Sequence, residues 1–507
     1  MVLSEKWSKL KSGSDIRGTA SEGVPGQPVE LTDETAERIA RGFVRWLSSA
    51  VGKAADKLKV SLGHDSRISA PRLETCVSSA LSASGALVYR LGLSSTPSMF
   101  MSTIDEKIDA DGAIMLTASH HPFNKNGLKF FTKKGGLEGA DITKILEYAQ
   151  EGGFVDVESP AQPVKCNFID TYALSLVEKV RSACGENTPL SGLKIVVDAG
   201  NGAGGFFAEK VLEPLGADTS GSQFLEPDGN FPNHIPNPEN AEAMQAICGC
   251  VVSNNADLGI IFDTDVDRAG LVFKGGKEIN RNRLIALVSA ILLREQPGAV
   301  IVTDSITSDG LSDFIAAKGG VHHRFKRGYK NVINEAVRLN GEGKHCPLAI
   351  ETSGHAAFKE NRFLDDGAYL VTRVLIELAQ QNKAGGNIED LIAGLKSPLE
   401  EAEIRLGFTV KDFSAHGKVV LDALERYCRG REGCLPAAVN YEGFRASVPV
   451  AEGWFLLRMS LHDPIMPLNM ESEKAGGTKQ IARELLAFLS EQGGLELSAL
   501  KKFVDTE

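Results

Sequence analysis

The 507-residue chain has no hydrophobic stretch near the roughly 20 residues that a membrane-spanning helix requires. Its longest apolar run, Leu284 to Leu293, is closed by Arg283 and Arg294 and reads as a buried helix. The N-terminal "MVLSEKWSKLKSGSD" lacks an apolar core followed by small residues, so no secretory signal is expected. The eight cysteines form no disulfide framework, and the close pair Cys248 and Cys250 lacks the two-residue spacing of zinc and redox motifs. Reduced thiols in a soluble, reducing compartment, cytoplasm or plastid stroma, are the expectation. Positive charge is also in deficit. With 55 basic against 66 acidic residues the formal charge is -11, which excludes nucleic acid and anionic membranes as partners of the surface at large. An anionic substrate would need a local basic patch. No low-complexity segment is present.

A chain of this length exceeds what one hydrophobic core supports, so about three or four domains are expected. A recurrence gives them shape. "KLKVSLGHDSR" (Lys57 to Arg67), "LKIVVDAGNGAG" (Leu193 to Gly204) and "GAVIVTDSITSDG" (Gly298 to Gly310) each run an apolar strand into an aspartate and a small-residue loop, then into a stretch that reads as helix. Strands without polar alternation are buried on both faces, and following helices make them βα units of parallel or mixed sheets. "DETAERIARGFVRWL" (Asp33 to Leu47) reads as an amphipathic scaffold helix. Beyond about residue 400 the pattern changes to α+β. The expected division is 1–163, 164–281 and 282–398 as three related α/β domains with mixed sheets, and 399–507 as an α+β domain.

Four loops carry candidate chemistry. In "GAIMLTASHHP" an apolar strand opens into small residues that leave the Ser119 hydroxyl accessible, with His120, His121 and Lys129 as possible activators. In "GIIFDTDVDRAG" Asp263, Asp265 and Asp267 alternate beside Arg268, so that in an extended loop their oxygens converge on one hard cation. Mg²⁺, with oxygen ligands at about 2.1 Å, fits. In "AIETSGHAAF" Glu351, Ser353 and His355 alternate as a polar row suited to sugar hydroxyls, and upstream Lys326, Arg327 and Lys330 make a basic patch. In "GWFLLRMSLHDP" Arg458 and Ser460 end a strand as a candidate phosphate clamp. Together they describe phosphoryl transfer at a site where domains meet.

The motifs "SGSDIRGTA", "TASHHPFNKNGLK", "DAGNGAG", "PDGNFPNHIPNP", "DTDVDR", "ETSGH" and "RMSLHDP" occur in an order that resembles the α-D-phosphohexomutase superfamily, in its bacterial-type phosphoglucomutase/phosphomannomutase branch. The resemblance implies a four-domain architecture and interconversion of hexose 1-phosphate and hexose 6-phosphate, glucose and/or mannose, through a phosphoserine and a hexose 1,6-bisphosphate. It implies Ser119 as phosphoryl carrier and, with Asp263, Asp265 and Asp267, as Mg²⁺ ligand. Arg17, His120, Lys129, Arg268 and His355 are then the other catalytic residues. Glu351, Ser353, His355, Lys326, Arg327, Arg458, Ser460 and His462 contact substrate. Glucose 1,6-bisphosphate would serve as activator, the partners are hexose phosphates, and the protein is monomer or homodimer. Two departures stand out: His121 replaces the usual asparagine, and Leu461, His462 and Asp463 replace small and hydroxyl donors. The alternatives are a phosphoglucosamine mutase, or a catalytically reduced sugar-phosphate binder.

Overall fold

The computed structural model describes residues 2–460 and 463–506. Contacts divide the chain into two compact units: Met1–Asn280 with Ser353–Asp390, and Arg281–Thr352 with Leu391–Glu507. His462 and Leu461 lie outside the described residues.

The first unit contains an eight-stranded mixed sheet whose middle strands are Lys125–Thr132, Gly112–Leu116, Lys59–His64 and Leu87–Leu93, in that order. Gly112–Leu116 runs parallel to Lys59–His64 but antiparallel to Lys125–Thr132. All five of its residues are buried, as the unbroken apolar run requires. The helix expected from Asp33 extends over Asp33–Val51, with Thr32 accepting the Thr35 N–H and left-handed Gly52 ending it. Its Ile39, Phe43 and Leu47 enter the core with Phe130 and Leu116.

A four-stranded sheet follows in the same unit, ordered Lys277–Ile279, Ala269–Phe273, Leu258–Phe262, Ile195–Asp198. Leu258–Phe262 is parallel to Ile195–Asp198 and antiparallel to Ala269–Phe273, so the aspartate segment is a hairpin connection, not the extended loop expected. The helix expected after "DAGNGAG" is instead a five-residue π turn, Ala208–Leu212, followed by a 3₁₀ turn, Glu213–Leu215. Pro214 accounts for the break, because it lacks the N–H that a continuing α-helix would use.

In the second unit, Val300–Thr303 lies between Val321–Arg324 and Leu348–Ile350, all parallel. Leu284 to Leu293 is buried along the helix Arg281–Glu295, as its bracketing arginines suggested. The C-terminal part is a six-stranded antiparallel sheet with helices Phe413–Arg429, Gly477–Gln492 and Ser498–Asp505, the α+β pattern expected. The cysteine expectation needs one correction. Cys428, at the end of the helix Phe413–Arg429, is disulfide-bonded to Cys434, while the other six cysteines form no disulfide among the described residues. The bend between them brings Cα atoms to 5.2 Å, within bridging range, at a sequence separation of 6. Among the described residues no helix is long and apolar enough to cross a membrane.

Gly127, within the Asn126-Gly127 pair, shows how tightly the first sheet holds the serine segment. A Cβ there would lie 2.3 Å from the Ile16 carbonyl oxygen and 2.7 Å from that of Thr117. Both obstacles are backbone and cannot rotate away. Gly127→Ala is therefore expected to lower unfolding free energy by about 1–3 kcal/mol, the cost of overpacking; urea unfolding with a change below a few tenths would contradict this packing.

Candidate active site

Three loops of the first unit converge. The strand Gly112–Leu116 ends at Thr117, whose hydroxyl donates to Asp65 Oδ2 at 2.7 Å and accepts the Ser119 N–H at 2.9 Å. Ser119 takes φ of +49°, a left-handed conformation that costs an L-residue about 1–2 kcal/mol. This turns its side chain toward the aspartate hairpin, where Ser119 Oγ donates to Asp263 Oδ2 at 2.9 Å. Arg268 Nη2 donates to Ser119 Oγ at 3.2 Å and His120 Nδ1 lies 3.2 Å from it. Ser119 is thus no ordinary polar turn residue; it is almost fully buried and faces a carboxylate and a guanidinium.

The hairpin explains the convergence of the aspartates. Val266 sits at φ of +63°, an outlier for a β-branched side chain, and its N–H reaches the Asp263 carbonyl at 3.3 Å. Oxygens of Asp263, Asp265 and Asp267 come within 4.8 Å of one another, all three side chains buried. Thr96, opening the helix Thr96–Ile104, anchors the hairpin by donating its hydroxyl to Asp265 Oδ2 at 2.5 Å and its N–H to the Asp265 carbonyl at 2.8 Å. Lys129 Nζ bridges Asp265 Oδ2 at 2.7 Å and Asp267 Oδ2 at 2.5 Å. Arg268 Nε is 3.3 Å from Asp263 Oδ2. Burial, with Asp267 and Asp265 beside it, pushes the Asp263 carboxyl well above the usual carboxylate range. The buried Oδ1 atoms of Asp265 and Asp267 make no hydrogen bond among the described residues. Converging buried carboxylates with unused oxygens are what a hard divalent cation relieves, so these residues fit Mg²⁺.

His355 follows a turn and aligns antiparallel to Arg268 through an isolated bridge. Its Nδ1 lies 2.5 Å from Asp365 and 3.9 Å from Asp267. Burial opposes its charge, but the Asp365 and Asp267 carboxylates prevail and raise its pKa to about 9. His120 behaves oppositely: burial, then Arg268, His121 and Arg17, hold it neutral. Arg17 pairs with Gly127 across the sheet and binds Asp15 at 2.8 Å. Ser353 is buried, and its Oγ has no partner among the described residues. Ser353 lies in a turn, as does Thr352, so strand alternation does not order the expected sugar row.

In the second unit, buried Glu351 accepts the Gly328 N–H at 2.6 Å. Lys326 is exposed, and Arg327 lies 4.0 Å from Asp304. Arg458 is buried, 3.9 Å from Glu442, and Ser460 Oγ accepts the Asp463 N–H at 3.2 Å. Sequence reasoning did not find Asp65, Arg67, Thr96, Asp365 or Glu442. Asp65 and Arg67 carried a signal, a charged pair right after a buried strand; the others carried none.

Descriptions of phosphoglucomutase/phosphomannomutase α/β/α domains I, II and III match residues 8–155, 170–276 and 280–395. A phosphomannomutase/phosphoglucomutase of Pseudomonas syringae is 32% identical over 441 residues, covering 86% of this chain and 88% of that protein. A phosphoglucomutase of Neisseria gonorrhoeae is 29% identical, covering 94% and 95%. A solved phosphoglucomutase/phosphomannomutase family protein from Burkholderia thailandensis superposes with TM-score 0.78 at 27% identity, covering 97% of this chain and 98% of that one. Fold and site together define an α-D-phosphohexomutase of bacterial type. Within that class the chain belongs to the phosphoglucomutase/phosphomannomutase family.

Two outcomes follow. After chelation, Mg²⁺ at about 100 times its Kd should stabilise the protein by about 2.7 kcal/mol, raising Tm, and Asp265→Asn should abolish the rise. A wild-type Tm indifferent to Mg²⁺ would contradict the site. The raised His355 pKa stabilises the fold fully below its ordinary value, about 6.5, and that contribution is lost as pH rises through about 9. The stability gap between wild type and His355→Gln should shrink over that window in urea titrations; a constant gap would refute the ion pair.

Proposed function

We propose that the protein interconverts hexose 1-phosphate and hexose 6-phosphate, with glucose and mannose phosphates as substrates, by phosphoryl exchange through Ser119. The observation that carries this reading is the Ser119 hydroxyl, 2.9 Å from Asp263 and 3.2 Å from Arg268, at the edge of a buried three-carboxylate cluster. In the working form Ser119 carries a phosphoryl group. A free sugar hydroxyl attacks the phosphorus, the bond to Ser119 Oγ breaks, and hexose 1,6-bisphosphate forms. After the intermediate turns over, the other phosphate returns to Ser119. The metal held by Asp263, Asp265, Asp267 and the phosphoserine would supply charge neutralisation on the moving group.

The chain's own residues do the rest. The Arg268 guanidinium, already on Ser119 Oγ, offsets charge on the leaving oxygen. His355, protonated at neutral pH, is assigned as proton donor in one direction and acceptor in the other. Lys129, with two carboxylates, is the second proton-transfer candidate. Arg17 and neutral His120 are assigned to the surroundings of the serine. Ser353, with its unused hydroxyl, and Glu351 are assigned to sugar hydroxyls. Lys326, Arg327, Arg458 and Ser460 are assigned to the phosphate not being transferred, His462 belonging to the same proposal.

Glucose 1,6-bisphosphate as activator follows from the chemistry, since it rephosphorylates a serine that has lost its group. The four-domain boundaries and a monomeric or homodimeric state remain part of the proposal. The bacterial relatives favour a cytoplasmic location and lend the plastid alternative no support. The Leu461, His462 and Asp463 departure motivates the binding-protein alternative, against which Ser119 and the three aspartates argue, and the phosphoglucosamine alternative shares the same serine and aspartate loops and is separated by turnover of glucosamine, mannose and glucose phosphates. Ser119→Ala should lose mutase turnover at least about 1000-fold, measured from glucose 1-phosphate with Mg²⁺ and trace bisphosphate, because the covalent route is removed. Turnover within about tenfold of wild type would overturn the reading.

A further inference from the structure

Arg67 is fully buried, and all its terminal donors serve one segment. Nη1 donates to the carbonyls of Pro122 at 2.7 Å and Lys125 at 2.8 Å. Nη2 donates to the carbonyls of Ser119 and, at 2.7 Å, His121. A guanidinium has four terminal N–H groups, so each takes one carbonyl of the loop that carries the serine. Its Nε lies 3.3 Å from Asp65, whose other interactions are with Thr117 and the Arg67 N–H. Asp65 and Arg67 therefore hold the loop from both ends, Thr117 on entry and Lys125 on exit.

The segment "PDGNFPNHIPNP" closes on the same residue. A Cβ on Gly229 would fall 2.3 Å from Ile68 N and 2.5 Å from the Ser66 carbonyl, so only glycine allows this segment to lie on the Ser66–Ile68 turn. The Arg67 guanidinium carbon is 5.4 Å from the Phe231 ring centre, within cation–π range. Further along, Asn237 accepts from Arg268 Nη1 at 3.2 Å and Glu239 lies 3.6 Å from it. One strap thus touches the cation beneath the serine loop and the cation on the serine hydroxyl.

We propose that Arg67 is a positioning residue for phosphoryl transfer: it fixes the strained Ser119 loop against the aspartate hairpin, with the segment from Gly229 to Glu239 holding it in place. The strain supplies the reason. A left-handed Ser119 would relax without outside restraint, and Arg67 restrains the carbonyl of that very residue. Lysine could keep the charge but offers three donors from one point, not four in a plane.

The inference rests on Ser119 being the phosphoryl carrier, and the test separates the two. Wild type and Arg67→Lys are phosphorylated with glucose 1,6-bisphosphate, the phospho-Ser119 fraction is measured by intact mass and peptide mapping, and kcat and KM are expressed per phosphorylated site. Positioning predicts that kcat per site falls about 100-fold, the cost of a misplacement near 1 Å, with KM for glucose 1-phosphate unchanged. A merely structural role would lower Tm and the phosphorylated fraction but leave kcat per site as it was, and that result overturns the proposal. Should Arg67→Lys fail to fold, Gly229→Ala must show the same kcat signature through the displaced Ser66–Ile68 turn, and unchanged kcat per site there overturns it equally. A wild type with neither phospho-Ser119 nor turnover refutes the phosphoserine reading instead.

Discussion

Everything at the site depends on keeping three buried carboxylates close together. Asp263, Asp265 and Asp267 repel one another in a medium that screens poorly, and the fold meets that cost with Lys129 and Arg268, and with hydrogen bonds from Thr96 and Ser119. The carboxylate oxygens that remain unused define a place for a divalent cation. The serine is drawn in by the same charge balance, since its hydroxyl donates to Asp263, which burial and its neighbouring carboxylates push toward protonation. A phosphoryl group on that oxygen would bring anionic oxygens to the place where Arg268 already points. The proposed metal site and the proposed phosphoryl carrier are therefore one electrostatic unit.

Such a unit requires backbone held against its own preference. Ser119 and Val266 both take left-handed conformations, one in each of the two loops that meet. Each is over-determined by contacts from elsewhere in the first unit. Thr96 pins the aspartate hairpin from the helix it begins, and Arg67 pins the serine loop from the turn that follows the strand Lys59–His64. Strain at a functional site persists only when surroundings impose it.

The sequence made the serine and aspartate loops legible because their chemistry is local: a small-residue turn after a buried strand, and alternating carboxylates before an arginine. Their supports were illegible because they are distant. Arg67 lies 52 residues before the carbonyl of Ser119, and Thr96 lies 169 before Asp265. Nothing in a local pattern marks such pairs. Local reading also misjudged shape in three places. The aspartates converge through a hairpin turn at Val266 and not an extended loop; Pro214 cut short the helix expected after "DAGNGAG"; and Ser353 lies in a turn where strand alternation was expected. The Cys428–Cys434 bridge escaped because a helix end and a bend, not a motif, bring the two sulfurs together. The βα recurrence and the change to α+β beyond residue 400 were readable because hydrophobic periodicity reports burial directly.

The most direct test of the central claim follows the phosphoryl group itself. Protein carrying labelled phosphate on Ser119, freed of excess bisphosphate, is mixed with unlabelled glucose 1-phosphate and Mg²⁺ and quenched within a single turnover. The account predicts that label leaves Ser119 and appears in glucose 1,6-bisphosphate and glucose 6-phosphate as fast as steady-state turnover requires. Label that stays on the serine while glucose 6-phosphate accumulates would contradict it.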